Sequence, residues 1–507
     1  MTNYSKYRLY EMLPGLAVWG VLVGGTILSF VRPLWVIYFI ILFDLYWVFR
    51  VVYFVFYLLL SWRSYNMSLR TNWREKMESL GPGCVDRYYH AIFLPVYNED
   101  EEVVCTTLEA ITSAQYPSKR MIIVLAGEER QRQHFESFAV RMKEKFEGRV
   151  FAFITTLHSA NVPGEIAGKG SNLHFAGVET KKFLDSRGIA YRDVIVSAFD
   201  IDTIVHPAYF ACLTYLYHRH PNPTHASFQP VALYNNNIWE SAAPLRIMAF
   251  GTTFYLLFAF GRPEILGTFS SHSMSFKALV DVGFWQNNIV SEDSRISLQC
   301  WLHYGGDYEV VPMYVPVSMD TVSDPSIKKS LINLYKQQRR WAWGVEHIPF
   351  LLWNLPRHTE IPLMKRLHRL WVQWEGKFSW CTTSIFILLF GRLPLWVAGD
   401  AVRRTVLFQN TPHILEWLMF CSMGGIVFSI VISMKLLPRP PHATRRRQWI
   451  FMLLQWLLVP FSLIAFSALP ALDATTRLLF GRYLGFNVSQ KKRKTASHIE
   501  SFITTNV

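Results

Sequence analysis

Two aspartates one residue apart, Asp200 and Asp202, follow the apolar run VIVSAF. At the carboxyl end of a buried strand, positions i and i+2 project to one side, where open α/β sheets bind ligands. Two such carboxylates repel each other; a divalent cation removes the repulsion and can hold a diphosphate. A turn or helix cap is the ordinary use of Asp-x-Asp, and the strand before it is what favours the cation. A second acidic pair, Glu292-Asp293, stands between Ser291 and the helix-like SRISLQC. It reads as a helix-start cap, or, if it lines the same cleft, as a source of one carboxylate, Asp293, that takes a proton from an attacking hydroxyl.

In YKQQRRWAWG, residues 335–344, Gln337, Arg340 and Trp341 share one face of a helix. Arg340 can clamp diphosphate oxygens, Trp341 offers a flat ring to a sugar, and Gln337 adds amide hydrogen bonds. Lys336 and Arg339 then face phospholipid or solvent, and a basic helix lying on lipid head groups is the alternative reading of the whole stretch. In FLPVYNEDEE, residues Pro95, Tyr97, Asn98 and Glu99 sit at a strand-to-helix switch. They serve helix capping, or a nucleoside pocket in which Tyr97 packs near a base and Glu99 accepts from ribose or base donors. GEIAGKGSNLHFAG, residues 164–177, sets glycines around Lys169 with Ser171 and Asn172 opening a helix, so that a nucleotide could come close. It is one residue short of a Walker A loop, and Gly170 stands where that loop needs Ser or Thr.

These residues need a scaffold. From about 90 to 230, short apolar runs (HAIFLPV, RMIIVLAG, VFAFIT, DVIVSAF) alternate with helical segments, the pattern of a mostly parallel sheet covered on both faces. The chain has 507 residues, 51% of them hydrophobic, which is too apolar for a purely soluble protein. Apolar stretches at about 12–31 and 34–60 form a hairpin long enough to cross a bilayer twice. Asp44 and Arg50, inside the second, imply a partner helix or polar cavity. Further crossings are expected at 377–398 and 413–436, whereas 247–260 is too short and reads as a core or interfacial helix. The run 449–470 is interrupted by Pro460. The net charge of +14 is assigned to Lys/Arg on cytosolic loops, among them Arg63, Arg70, Arg74 and Lys76, and not to nucleic acid, for which there is no binding motif. The six scattered cysteines indicate neither a disulfide framework nor a zinc site.

Taken in order, PVYNE, GKGSN, DID, SED and QQRRW resemble the motifs of family-2 glycosyltransferases, particularly the membrane-embedded synthases of cellulose, hyaluronan and chitin. The resemblance covers about residues 88–345 and the membrane arrangement. It implies an α/β GT-A-type fold, Rossmann-like with a mostly parallel sheet, in a cytosolic domain combined with transmembrane helices. It further implies inverting transfer from a nucleotide-diphosphate sugar, a UDP-sugar first among them, with Mg²⁺ or Mn²⁺. By matching position, Asp202 is the metal ligand, Asp200 a nucleotide or metal contact, Asp293 the general base, and Gln337, Arg340 and Trp341 the donor–acceptor clamp. Pro95, Tyr97, Glu99 and Lys169 fall to the nucleotide. Where the family usually carries an acidic pair after its second strand, this chain has Leu125-Ala126-Gly127-Glu128, and Glu128 stands in for it. The polar loop GTFSSHSMSFKAL departs from cellulose and hyaluronan synthases; its Ser270, Ser271, His272 and Ser273 either bind an acceptor or fill a loop. In GFNVSQKKRK, residues Phe486, Val488, Ser489 and Lys491 look like the gating loop of processive synthases, a plain basic tail being the alternative.

The expected layout is a transmembrane hairpin (1–62), the catalytic domain (63–345), interfacial helices (346–376), a second hairpin (377–436), a basic loop with a re-entrant or interfacial segment (437–484) and a gating-like tail (485–507). Because that tail must be cytosolic, the stretch 449–482 is expected to dip into the membrane without crossing it, leaving four crossings. The expected protein sits in the plasma membrane and elongates a glycan; single addition to a lipid-linked acceptor is the alternative, and a catalytically silent scaffold a distant one.

Overall fold

The computed structural model describes residues 3–438 and 446–485. Eight strands form one sheet in the order β3-β2-β1-β4-β7-β6-β8-β5. They are β1 Tyr89–Pro95, β2 Met121–Glu128, β3 Ala152–His158, β4 Val194–Ala198, β5 Ile204–Val205, β6 Ala226–Leu233, β7 Ser273–Ser275 and β8 Glu309–Ser318. Strands β1 to β4 pair in parallel, as do β6 and β8. β7 is antiparallel to both β4 and β6, and β5 to β8. The apolar runs become strands because both faces are covered: every residue of β2 and of β6 is buried. Alternation sorts the side chains, Ile92 and Leu94 packing with Leu108 and Phe138 on one face, Ala91 and Phe93 with Leu173 and Trp285 on the other. Pairing Phe93 with Ala198 and Pro95 with Ala126 brings the carboxyl ends of β1, β2 and β4 to one edge.

Six helical stretches are long and apolar enough to cross a membrane. Helices Asn3–Val31 and Pro33–Leu69 form the first hairpin, and Leu363–Phe390 and Val406–Leu436 the second. Leu363–Phe390 is continuous through the point at which interfacial and crossing parts were expected to divide. Inside the first hairpin's second helix, Arg50 pairs with Glu375 at 3.0 Å, while Asp44 is buried with one carboxylate oxygen that has no partner among the described residues. Ala243–Phe260 has 61% of its apolar window buried within the protein. It stacks Phe250 and Phe254 on Trp456. The stretch from Arg446 to Leu479 is a broken helix with 3-10 and π turns between Gln455 and Ala468. Its Trp449 packs on Trp239, and its Asp473 accepts from Arg339 at 2.8 Å, so both of its ends meet the sheet domain.

Candidate active site

β4 ends at Ala198, so Asp200 and Asp202 lie in the turn beyond it, where strand alternation no longer governs them. They diverge. Asp200 accepts from Lys169 Nζ and from Ser270 Oγ, each at 2.7 Å. Asp202 is fully buried and its Oδ2 accepts from the Asp320 backbone N–H at 2.8 Å, while Asn236 donates to Asp320 Oδ1 at 2.9 Å and to the Asp202 carbonyl at 3.2 Å.

Lys169 Nζ also donates to Asp293 Oδ2 at 2.7 Å, so one ammonium joins acids remote in the chain. Burial pulls the Lys169 pKa down, but Asp200, Asp293 and Glu292 more than reverse this and the group stays charged. Asp293 Oδ1 is buried and has no partner among the described residues. Glu292 is buried, and burial, reinforced by Asp293, raises its pKa. Gly170 is packed closely by its own protein: a Cβ there would lie 3.0 Å from the Gln286 carbonyl oxygen and 3.3 Å from Glu292 Cβ. Ser171 folds into its own helix start, its Oγ accepting from Gly168 N–H, and Asn172 donates to the Ala126 carbonyl.

Gln337, Arg340 and Trp341 lie on helix Ile327–Ala342. Trp341 sits between Tyr234 and Phe269, with ring centroids 5.7 and 5.8 Å away. Burial raises the Tyr234 pKa, Asp200, Asp202 and Asp293 raise it further, and Arg340 opposes them. Gln337 is buried and Lys336 exposed, but Arg339 is neither lipid- nor solvent-directed, being held by Asp473.

At the ends of β1 and β2, Glu99 bends back to accept from the Tyr97 backbone N–H at 2.8 Å, leaving Asp100 at the cap of the next helix. Arg130 lies over the Tyr97 ring, 5.0 Å from its centroid, and donates to Glu128 Oε2. Of the polar loop, Ser270 reaches Asp200, whereas Ser273 is buried against Ser197 and Tyr209. Ser271, with φ of 64°, bonds Thr203. His272 donates from Nδ1 to the Phe269 carbonyl, and burial lowers its pKa. Phe486, Val488, Ser489 and Lys491 lie outside the described residues.

Sequence reasoning missed Tyr234, Asp320, Asn236 and Arg130. Tyr234 and Asp320 stand just past β6 and β8, and a search at the carboxyl ends of all parallel strands would have found them. Asp200 and Asp202 carry the hard oxygen donors that Mg²⁺ or Mn²⁺ prefers, although here Asp200 is taken by Lys169 and Ser270 and Asp202 Oδ2 by the Asp320 N–H. Among the described residues no cluster of three or more His, Cys, Asp or Glu could hold an ion alone. An ion bound by these two carboxylates would take its remaining oxygens from a diphosphate and water, as Mg²⁺ usually does.

The family model described as glycosyl transferase family group 2 matches residues 195–476, more than half of the chain. A search of curated proteins gives no match. Similar solved structures include the mannosyltransferase PcManGT from Pyrobaculum calidifontis in complex with GDP-Man and Mn²⁺, at 13% identity and TM-score 0.42, covering 74% of this chain and 99% of that one. S. aureus TarS 1-349 follows at 11% identity and TM-score 0.36, covering 68% and 90%. Glucosyl-3-phosphoglycerate synthase from Mycobacterium tuberculosis, in complex with Mn²⁺, UDP and glucosyl-3-phosphoglycerate, has 14% identity and TM-score 0.31, covering 55% and 83%.

Proposed function

The chain belongs to glycosyl transferase family group 2, and on that premise we propose that its cleft moves a sugar from a nucleotide-diphosphate donor to an acceptor hydroxyl in one displacement that inverts the anomeric centre. The observation that carries this reading is Asp293, with one oxygen held by Lys169 and the other buried and open. Asp293 Oδ1 accepts the acceptor's proton while the hydroxyl oxygen bonds to the anomeric carbon. The bond from that carbon to the diphosphate breaks, and Arg340 meets the charge that leaves. Trp341, wedged by Tyr234 and Phe269, gives the sugar a flat wall, and Gln337 supplies amide hydrogen bonds. Pro95, Tyr97, Glu99 and Glu128 form the nucleoside slot, with Arg130 stacked on Tyr97. Asp202 and Asp200 would hold Mg²⁺ or Mn²⁺, which neutralises diphosphate charge when bound.

The product is a growing polysaccharide, passed across the plasma membrane by the same chain. Four crossings carry the catalytic domain on the cytosolic face, and the run to Leu479 lies along that domain; the sheet-domain contacts at both its ends support this. A screen of labelled nucleotide sugars with Mn²⁺ and Mg²⁺, reading nucleotide release and product size, tests the proposal. Long products support elongation, and a single added sugar on lipid indicates the alternative. Negligible metal-dependent donor hydrolysis, equal in wild type and Asp293→Asn, would identify a scaffold.

A further inference from the structure

Behind the cleft is a buried polar network that the transfer chemistry does not use. Arg295, 2% exposed, stands two residues after Asp293. It donates to three acceptors on two segments: from Nε to His347 Nδ1 at 3.1 Å, from one terminal nitrogen to Gln286 Oε1 at 3.0 Å, and from the other to the Glu346 carbonyl at 3.2 Å. Its guanidinium lies 4.0 Å from the Phe350 ring centroid. Because a guanidinium only donates, His347 Nδ1 must accept, which places the imidazole proton on Nε2. That N–H donates to Ser294 Oγ at 2.8 Å, and Ser294 passes its own proton to the Ser291 carbonyl at 3.1 Å.

Ser291 is the cap residue of helix Glu292–His303, yet its side chain makes no capping bond. Its hydroxyl donates to Glu346, whose second oxygen accepts from Trp343 Nε1 at 2.8 Å. A Ser at this position ordinarily stabilises its helix by capping; here that bond is given up for a tie to another segment. Both flanks of Asp293 are thus fastened to Trp343–His347, the turn that directly follows Arg340 and Trp341. The Gln286 branch reaches a third segment, since the Gln286 carbonyl packs on Gly170, next to Lys169.

We infer that Arg295, Glu346 and His347 are positioning residues that hold the Asp293 carboxylate in register with the Arg340–Trp341 clamp and with Lys169. This rests on the glycosyl-transfer reading above. It is a role in alignment, because none of the three reaches the cleft carboxylates directly, and an ångström of misplacement at a reacting group costs about 10²-fold in rate.

The test uses the full chain in detergent or nanodiscs, with His347→Leu, His347→Gln and Asp293→Asn beside wild type. Gln can accept from Arg295 and donate to Ser294, whereas Leu can do neither. The expected result is a kcat about 10–100-fold lower in His347→Leu, with donor KM and affinity for the nucleoside diphosphate within about twofold of wild type. His347→Gln should recover most of the lost kcat. A kcat for His347→Leu within twofold of wild type, while Asp293→Asn is inactive, overturns the inference and leaves the transfer reading standing. So does a parallel fall of kcat, nucleotide affinity and melting temperature without rescue by Gln. Wild type that turns over no nucleotide sugar overturns both. If Leu at 347 prevents folding, Glu346→Gln, which removes one acceptor and keeps the shape, must show the same kcat-selective loss; unchanged kcat there counts against the inference.

Discussion

Lys169 is the residue on which the site's electrostatics turn. Its ammonium is almost buried and bonds Asp200 and Asp293 at 2.7 Å each. Truncation in Lys169→Met leaves two neighbouring carboxylates without their cation, and breaking a buried pair costs about 3–5 kcal/mol. A lower melting temperature, together with loss of transfer, is expected on calorimetry and assay of the purified variant; an unchanged melting point would show that the contact contributes nothing. Asp293, Lys169, Arg340 and Trp341 were legible as candidates because each sits in a short motif whose order carries information. That Lys169 would bridge Asp200 and Asp293 was not, since the bridge depends on which strands are neighbours. Tyr234 and Asp320 had no spacing signal at all. Nor was the neighbour of Gly170 legible: the group it makes room for within the protein is the Gln286 carbonyl, contributed by a distant loop.

Among the elements, β1 carries a histidine with a consequence for pH. His90 is fully buried and bonds Thr214 at 2.8 Å, and burial pushes its pKa down to about 3. An unfolded histidine takes up its proton near pH 6.5. Below that value the unfolded chain binds more protons than the folded one, so stability is full above pH 6.5 and falls as the solution is acidified, by up to about 1.4 kcal/mol per pH unit for this residue. Melting temperatures followed from pH 7.5 to 5 should decline, and His90→Gln should flatten the decline; parallel profiles would remove His90 as its source. Helix Ile327–Ala342, which carries Arg340 and Trp341, is tied to helix Leu469–Leu479 by Arg339 and Asp473. A double-mutant cycle on that pair should give a coupling of about 1 kcal/mol in thermal unfolding, and a coupling of zero would make the contact incidental. Continuous apolar runs made the parallel strands readable, because both faces are buried. The end of β4 was placed too late, since a turn that keeps Asp202 buried is as apolar in its neighbours as the strand itself.

At the scale of the whole molecule, the sheet domain packs on the two helical hairpins, Tyr234 and Trp341 sharing one apolar cluster with Leu58, Ile432 and Trp456, and the broken helix ending at Leu479 returns to that domain. Single cysteines placed at Gly83, Pro438 and Gly481 should be labelled by an impermeant reagent only from the cytosolic side, and one at Asp400 only from outside. Labelling of the residue-481 site from outside would turn the last helical stretch into a fifth crossing. The hairpins were readable from length and apolarity, whereas the course of the final stretch was not, because hydropathy cannot distinguish lipid from the apolar flank of another domain. The central claim is that a single carboxylate, Asp293, drives an inverting sugar transfer in this cleft. Its most direct test is the anomeric configuration of the product formed from a labelled nucleotide sugar by purified wild type, run beside Asp293→Asn. The expected result is an inverted product from wild type and a rate at least about 10²-fold lower in the variant, with nucleoside diphosphate still bound. Retained configuration, or equal turnover in the two proteins, would contradict it.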